Sequence, residues 1–101
     1  MLFRSDSLAR ELDEHAAAGN ARSFFGASRN ALCKVLASKW GLTLAEVTTE
    51  EVASRLGSES EISRAFTLAD EAAYSDLKLT PLDFRLWKQA VLRTVSEGTP
   101  S

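Results

Sequence analysis

Apolar residues recur at three- and four-residue steps along most of this 101-residue chain, the spacing of one helix face after another. The longest run lies between Asn20 and Gly41. Phe24, Phe25, Ser28, Ala31, Leu32, Val35, Leu36 and Trp40 fall on one side of a single helix there. No other segment is as long or as rich in large apolar side chains, so this helix is expected at the centre, with the others packed around it. Leu8, Leu12 and the alanines near position 16 give a weaker face over 8–18, preceded by the possible caps Ser5, Asp6 and Ser7. Gly19 is placed to end that helix and Asn20 to cap the next, so the two should be antiparallel neighbours across a very short turn.

Downstream, hydroxyl residues stand three before a glutamate at Thr43/Glu46, Thr48/Glu51 and Ser58/Glu61, the capping-box spacing. The first is read as a turn plugged by Leu42, Leu44 and Val47. The second opens a short helix, 49–56, that Gly57 stops. The third opens a helix over about 60–74 with Ile62, Ala65, Phe66, Ala69 and Ala73 inward. After a linker over 76–79, Thr80-Pro81 is the clearest start signal: threonine caps, proline takes the first helical position, and Asp83 suits the positive helix end. Phe84, Trp87, Val91 and Val95 line that last helix to about Ser96. No strand signal of comparable strength appears, nor any internal repeat. The pattern predicts an all-α bundle of four main helices and one short one. It forms one domain over 1–101, ordered from about 6 to 97 and frayed over 98–101. Phe25, Leu32, Leu36, Trp40, Phe66 and Trp87 are the expected core.

Composition changes this picture little. Apolar residues make up 45% and charged residues 26%, ordinary for a globular domain and against wholesale disorder. The net charge of −2 argues against general nucleic-acid binding. No stretch has the length of an apolar membrane span, and the first residues lack the apolar run of a signal peptide. Cys33 is the only cysteine, so no internal disulfide can form. It has no histidine at a motif spacing and reads as a small helix filler. His15 is the only histidine and has no ligand partner nearby in sequence, which leaves a metal site unsupported. The carboxylate pairs Asp13-Glu14, Glu50-Glu51 and Asp70-Glu71 are adjacent residues and project about 100° apart on a helix, so spacing alone makes none of them an acid–base pair. No phosphate loop or nucleophile elbow is present. The chain reads as non-enzymatic and without a cofactor.

Charge is unevenly spread. From His15 to Ala45 there are Arg22, Arg29, Lys34 and Lys39 and no acid. From Glu46 to Asp76 eight acids (Glu46, Glu50, Glu51, Glu59, Glu61, Asp70, Glu71, Asp76) face two arginines, Arg55 and Arg64. Two readings follow. Neighbouring helices could complement one another inside the domain, or the charge could form a docking surface for a partner. On the second reading Arg22, Arg29 and Lys39 form a basic face, with Asp70, Glu71 and Tyr74 within one turn as further contacts.

Arg22-Ser-Phe-Phe25, Trp40-Gly-Leu42, Thr48-Thr-Glu-Glu51 and Ala69-Asp-Glu-Ala-Ala-Tyr74, in this order, resemble the C-terminal helical domain of BatD, the Bacteroides aerotolerance (oxygen-tolerance) family of bacterial membrane proteins. The resemblance runs from about Leu8 to Val95. It implies a helical domain on the cytoplasmic side of the inner membrane, beneath a membrane span and extracytoplasmic β-rich domains that this chain lacks. The chain is then a stand-alone relative or a piece of a longer protein. It also implies partners among von Willebrand factor A-type proteins and a MoxR-type AAA+ ATPase, and carries over no catalytic residue. The expected function is a non-enzymatic protein-interaction module. The alternative is a small helical regulator that binds nucleic acid through the basic face of the second helix.

Overall fold

The computed structural model describes residues 5–75 and 77–98, with side chains from 7 to 96. Among the described residues there are five α-helices, a 3-10 turn and no strand: α1 (Ser5–Ala17), α2 (Ala21–Trp40), the turn Leu44–Glu46, α3 (Thr49–Leu56), α4 (Glu61–Tyr74) and α5 (Pro81–Gly98). The protein is a small all-α bundle. None of these helices is long and apolar enough to cross a membrane.

Local chemistry sets the helix ends. At the end of α1 the Asn20 N–H donates to the His15 carbonyl and the Gly19 N–H to that of Ala16. This closure needs the left-handed backbone that Gly19 adopts at φ 67°. The Asn20 side chain then accepts from the Ser23 N–H and opens α2 at once. At the far end of α2, the N–H groups of Gly41 and Leu42 both donate to the Ala37 carbonyl. Thr80 and Asp83 cap α5 reciprocally: the Asp83 N–H donates to Thr80 Oγ1 and the Thr80 N–H to Asp83 Oδ2, each at 3.1 Å.

The core gathers around α2, which packs against α1, α4, α5 and the 3-10 turn. Phe24 and Phe25 project about 100° apart and reach two places on α5. Phe24 meets Phe84 edge-on at 5.0 Å, and Phe25 meets Trp87 at 5.9 Å. Phe24, Phe25, Leu32 and Phe66 are fully buried, with Leu36 nearly so. An ion pair from Lys88 to Asp13, 2.7 Å, links α5 to α1.

The structure corrects several expectations. Trp40 and Trp87 are half-buried flanks of the core. Leu44 is 52% exposed and plugs nothing; Val47 is buried and Leu42 half-buried. On α4, Ala72 is buried in place of Ala73, which lines an open cleft. The cap of α4 is Ser60, whose Oγ accepts from the Ser63 N–H, and Ser58 sits in the preceding turn. Glu51 does not reach back to its cap; it pairs with Arg55 at 2.8 Å. The backbone of α1 is already helical at Ser5, so 5–7 belong to its first turn. The backbone of α5 runs to Gly98, the first residue of the expected frayed tail; 99–101 lie outside the described residues.

Candidate functional site

The six residues singled out for partner contact do not form one surface. Arg29 points inward, toward α4. Its guanidinium pairs with the Asp70 carboxylate and lies 5.3 Å from the centre of the Phe66 ring. The second Asp70 oxygen accepts from Thr49 Oγ1 at 2.8 Å. Arg29, Asp70 and Thr49 therefore tie α2, α4 and α3 together, and both carboxylate oxygens are engaged. For this pair the charge asymmetry resolves into complementarity within the domain. Of the expected basic face of Arg22, Arg29 and Lys39, Arg29 is thus half-buried and taken up by α4, while Arg22 is exposed.

Lys39 is exposed in the last turn of α2, where a cation complements the negative helix end. It stands about 25 Å along the axis from Arg22, at 1.5 Å per residue. Beside it, at the end of α2, Arg55 covers Trp40, with the guanidinium 4.9 Å from the ring centre.

Arg22 and Tyr74 do come together. They line an open cleft of about 330 Å³ between the α1–α2 turn and the end of α4, with Gly19, Asn20, Ala21, Ala72, Ala73, Ser75 and Leu77. The antiparallel course of α2 and α4 brings the first turn of one beside the last turn of the other. Tyr74 is 91% exposed, so its ring contributes almost nothing to the core. Glu71, one turn earlier, is also exposed.

Three residues beyond those six belong to this outer face of α2. Lys34 is exposed and stands in line with Arg22, Gly26 and Asn30 at four-residue steps, all exposed. Gly26 is a glycine in the middle of a 20-residue helix, and a Cβ added there would meet nothing within 4 Å. Packing does not require it. Its signal in the sequence was the breach of helix propensity in an otherwise strong helix.

Metal and nucleophile chemistry gain no geometry. Among the described residues no group of three or more His, Cys, Asp or Glu side chains could hold a metal ion. His15 Nε2 lies 3.5 Å from the Glu11 carboxylate, four residues away on the same helix. The Cys33 thiol sits 3.7 Å from the Val47 carbonyl, and burial pushes its pKa up against the opposing pull of Arg29. A raised pKa means less thiolate, the opposite of nucleophile activation. Comparison with family models, curated proteins and solved structures yields no match.

Proposed function

We propose that the domain is a non-enzymatic protein-interaction module whose docking face runs from the Arg22–Tyr74 cleft along the outer side of α2. The observation that carries this reading is Tyr74, an aromatic side chain 91% exposed at the lip of a cleft that also presents Arg22. Tyrosine and arginine are the residue types that most often anchor protein interfaces, because each joins a large contact area to a polar end. Gly26 and Asn30 leave the adjoining surface low, so a partner can approach the backbone of α2 closely. Arg22 and Lys34 give this side of α2 a positive charge, which favours an acidic partner and a fast, salt-sensitive encounter.

The resemblance to the BatD C-terminal region supplies the partner class: a von Willebrand factor A-type protein or a MoxR-type ATPase at a bacterial inner membrane. The test is binding of the purified domain to such proteins from the same genome, measured by surface interferometry. Arg22→Glu combined with Tyr74→Ala should weaken capture at least tenfold, most visibly at low salt, with an unchanged melting temperature. Equal binding by the double variant would remove this face from the function. Tight binding of the unaltered domain to random duplex DNA at physiological salt would replace the reading with the nucleic-acid one.

A further inference from the structure

A second open groove, of about 400 Å³, lies between the first turns of α4 and the N-terminal half of α5. Its position along α4 is about 20 Å from the Arg22–Tyr74 cleft, counted at 1.5 Å per residue between Glu61 and Tyr74. Leu86, Trp87 and Ala90 supply its apolar lining, and Leu82 continues the row one turn earlier on α5. Leu82 and Leu86 are 58% and 55% exposed. The core of the bundle lies on the other side of α5, where Phe84, Val91 and Val95 are buried. Two bare leucines one turn apart therefore do little for the fold and form an apolar strip facing water.

The rim of this groove is acidic. Glu59, Glu61 and Asp83 stand around it against one cation, Arg64. Asp83 is engaged in capping α5, and Glu61 lies in the first turn of α4, where a carboxylate favours the helix end. Glu59 precedes the helix. Neither Glu59 nor Glu61 forms an ion pair among the described residues. The groove thus joins an apolar strip of helical spacing to unpaired negative charge.

We propose that this groove binds a basic amphipathic helix of a partner protein. The partner sets apolar side chains four residues apart against Leu82, Leu86 and Trp87, and its lysines or arginines reach Glu59 and Glu61. This is the helix-in-groove mode, in which the i and i+4 side chains anchor and the flanking charge selects the partner. The acidic rim disfavours nucleic acid and acidic surfaces. It also disfavours a second copy of this chain, because a two-fold interface sets each patch on itself and would bring acid against acid.

The probe is a fluorescein-labelled 18-residue helical peptide with leucines at i, i+4, i+7 and i+11 and lysines on the flanks. A control replaces the lysines with glutamates. Fluorescence anisotropy at low salt should show micromolar binding of the lysine peptide and none of the control. Glu59→Lys with Glu61→Lys, and separately Leu86→Ser, should each weaken binding at least tenfold, while Arg22→Glu leaves it unchanged. In ¹⁵N-labelled wild-type protein the peptide should shift the Trp87 indole and the amides of 82–90. That measurement stands even if a variant folds poorly. Absence of binding, shifts mapping elsewhere, or wild-type affinity in both groove variants would overturn the proposal. So would a dimer in sedimentation that Leu86→Ser dissolves, which would assign the groove to a second copy.

Discussion

Replacing Arg29 with alanine measures how firmly α2 and α4 are joined. The substitution removes an ion pair whose side chains are 33% and 45% exposed. At that exposure the pair sits nearer a surface bridge than a buried one and contributes about 0.2–1 kcal/mol. The guanidinium over Phe66 adds about 0.5–1 kcal/mol. Thr49 keeps its hydrogen bond to Asp70, so the carboxylate is not abandoned. The expected loss is therefore about 1–2 kcal/mol, against a total of about 5–15 kcal/mol for a chain of this size. With a urea m-value of about 1.5 kcal/mol per molar, the midpoint should fall by roughly 1 M. A double-mutant cycle with Asp70→Asn should give a coupling of about 0.5–1 kcal/mol. That coupling should shrink in 1 M salt, where the screening length is about 3 Å. A midpoint unmoved by Arg29→Ala, or a coupling indistinguishable from zero at low salt, would refute the pairing and return Arg29 to the outer face of α2.

Four further outcomes are expected. Leu36→Ala should cost about 2–5 kcal/mol in urea unfolding, since Leu36 is buried on the inner side of α2 and its loss leaves a cavity; an unchanged midpoint would put the phase of α2 in question. Thr80→Ala should cost about 0.5–2 kcal/mol by removing the oxygen that accepts from the Asp83 N–H, and an unchanged melting temperature would show that this cap is not formed. Gly26→Ala should stabilise the domain by up to about 1 kcal/mol, because the added methyl meets open space and helix propensity rises; a drop in melting temperature would contradict the open surface. Glu46 should titrate by NMR below the usual glutamate range, because its carboxylate accepts from the Thr43 backbone N–H at 2.8 Å. Its pKa is lowered on folding, so its stabilising contribution is complete above the unfolded value of about 4.3 and is lost as pH falls through the folded one. An ordinary Glu46 titration would mean that the turn at 44–46 is open.

The helix ends were the most legible part of the chain. Gly19, Asn20, Gly41, Gly57 and Thr80-Pro81 act through their own backbone and nearest neighbours, so a local reading finds them. The errors fall where local spacing leaves two candidates open. Periodicity allows Ala72 or Ala73 to face inward, and packing against the rest of the bundle selects Ala72. Ser58 and Ser60 both offer a capping hydroxyl; Ser60 is selected in company with Ser63, whose own hydroxyl is held by the Gly57 carbonyl. The same holds for the candidate site. Arg22 and Arg29, seven residues apart, lie near one another around α2, yet α4 lies against only part of that side. The charge asymmetry left pairing within the domain and docking of a partner both open, and could not say which cation would be taken.

The segment from Leu42 to Leu56 behaves differently from the rest of the bundle. Apart from Val47 and Val52, none of its residues is fully buried, and α3 packs chiefly against α4. Side-chain ties (Thr49 to Asp70, Arg55 over Trp40) supply much of its attachment. Such a unit detaches at a lower free energy than global unfolding, because little apolar surface is exposed when it leaves. In exchange experiments its amides should form a separate, faster class from those of α2. Val47 lies over the half-buried Cys33 thiol, so detachment would expose that sulfur further. The single cysteine is thus a built-in reporter: its alkylation should quicken when the side-chain ties of this flap are cut while the bundle stays folded.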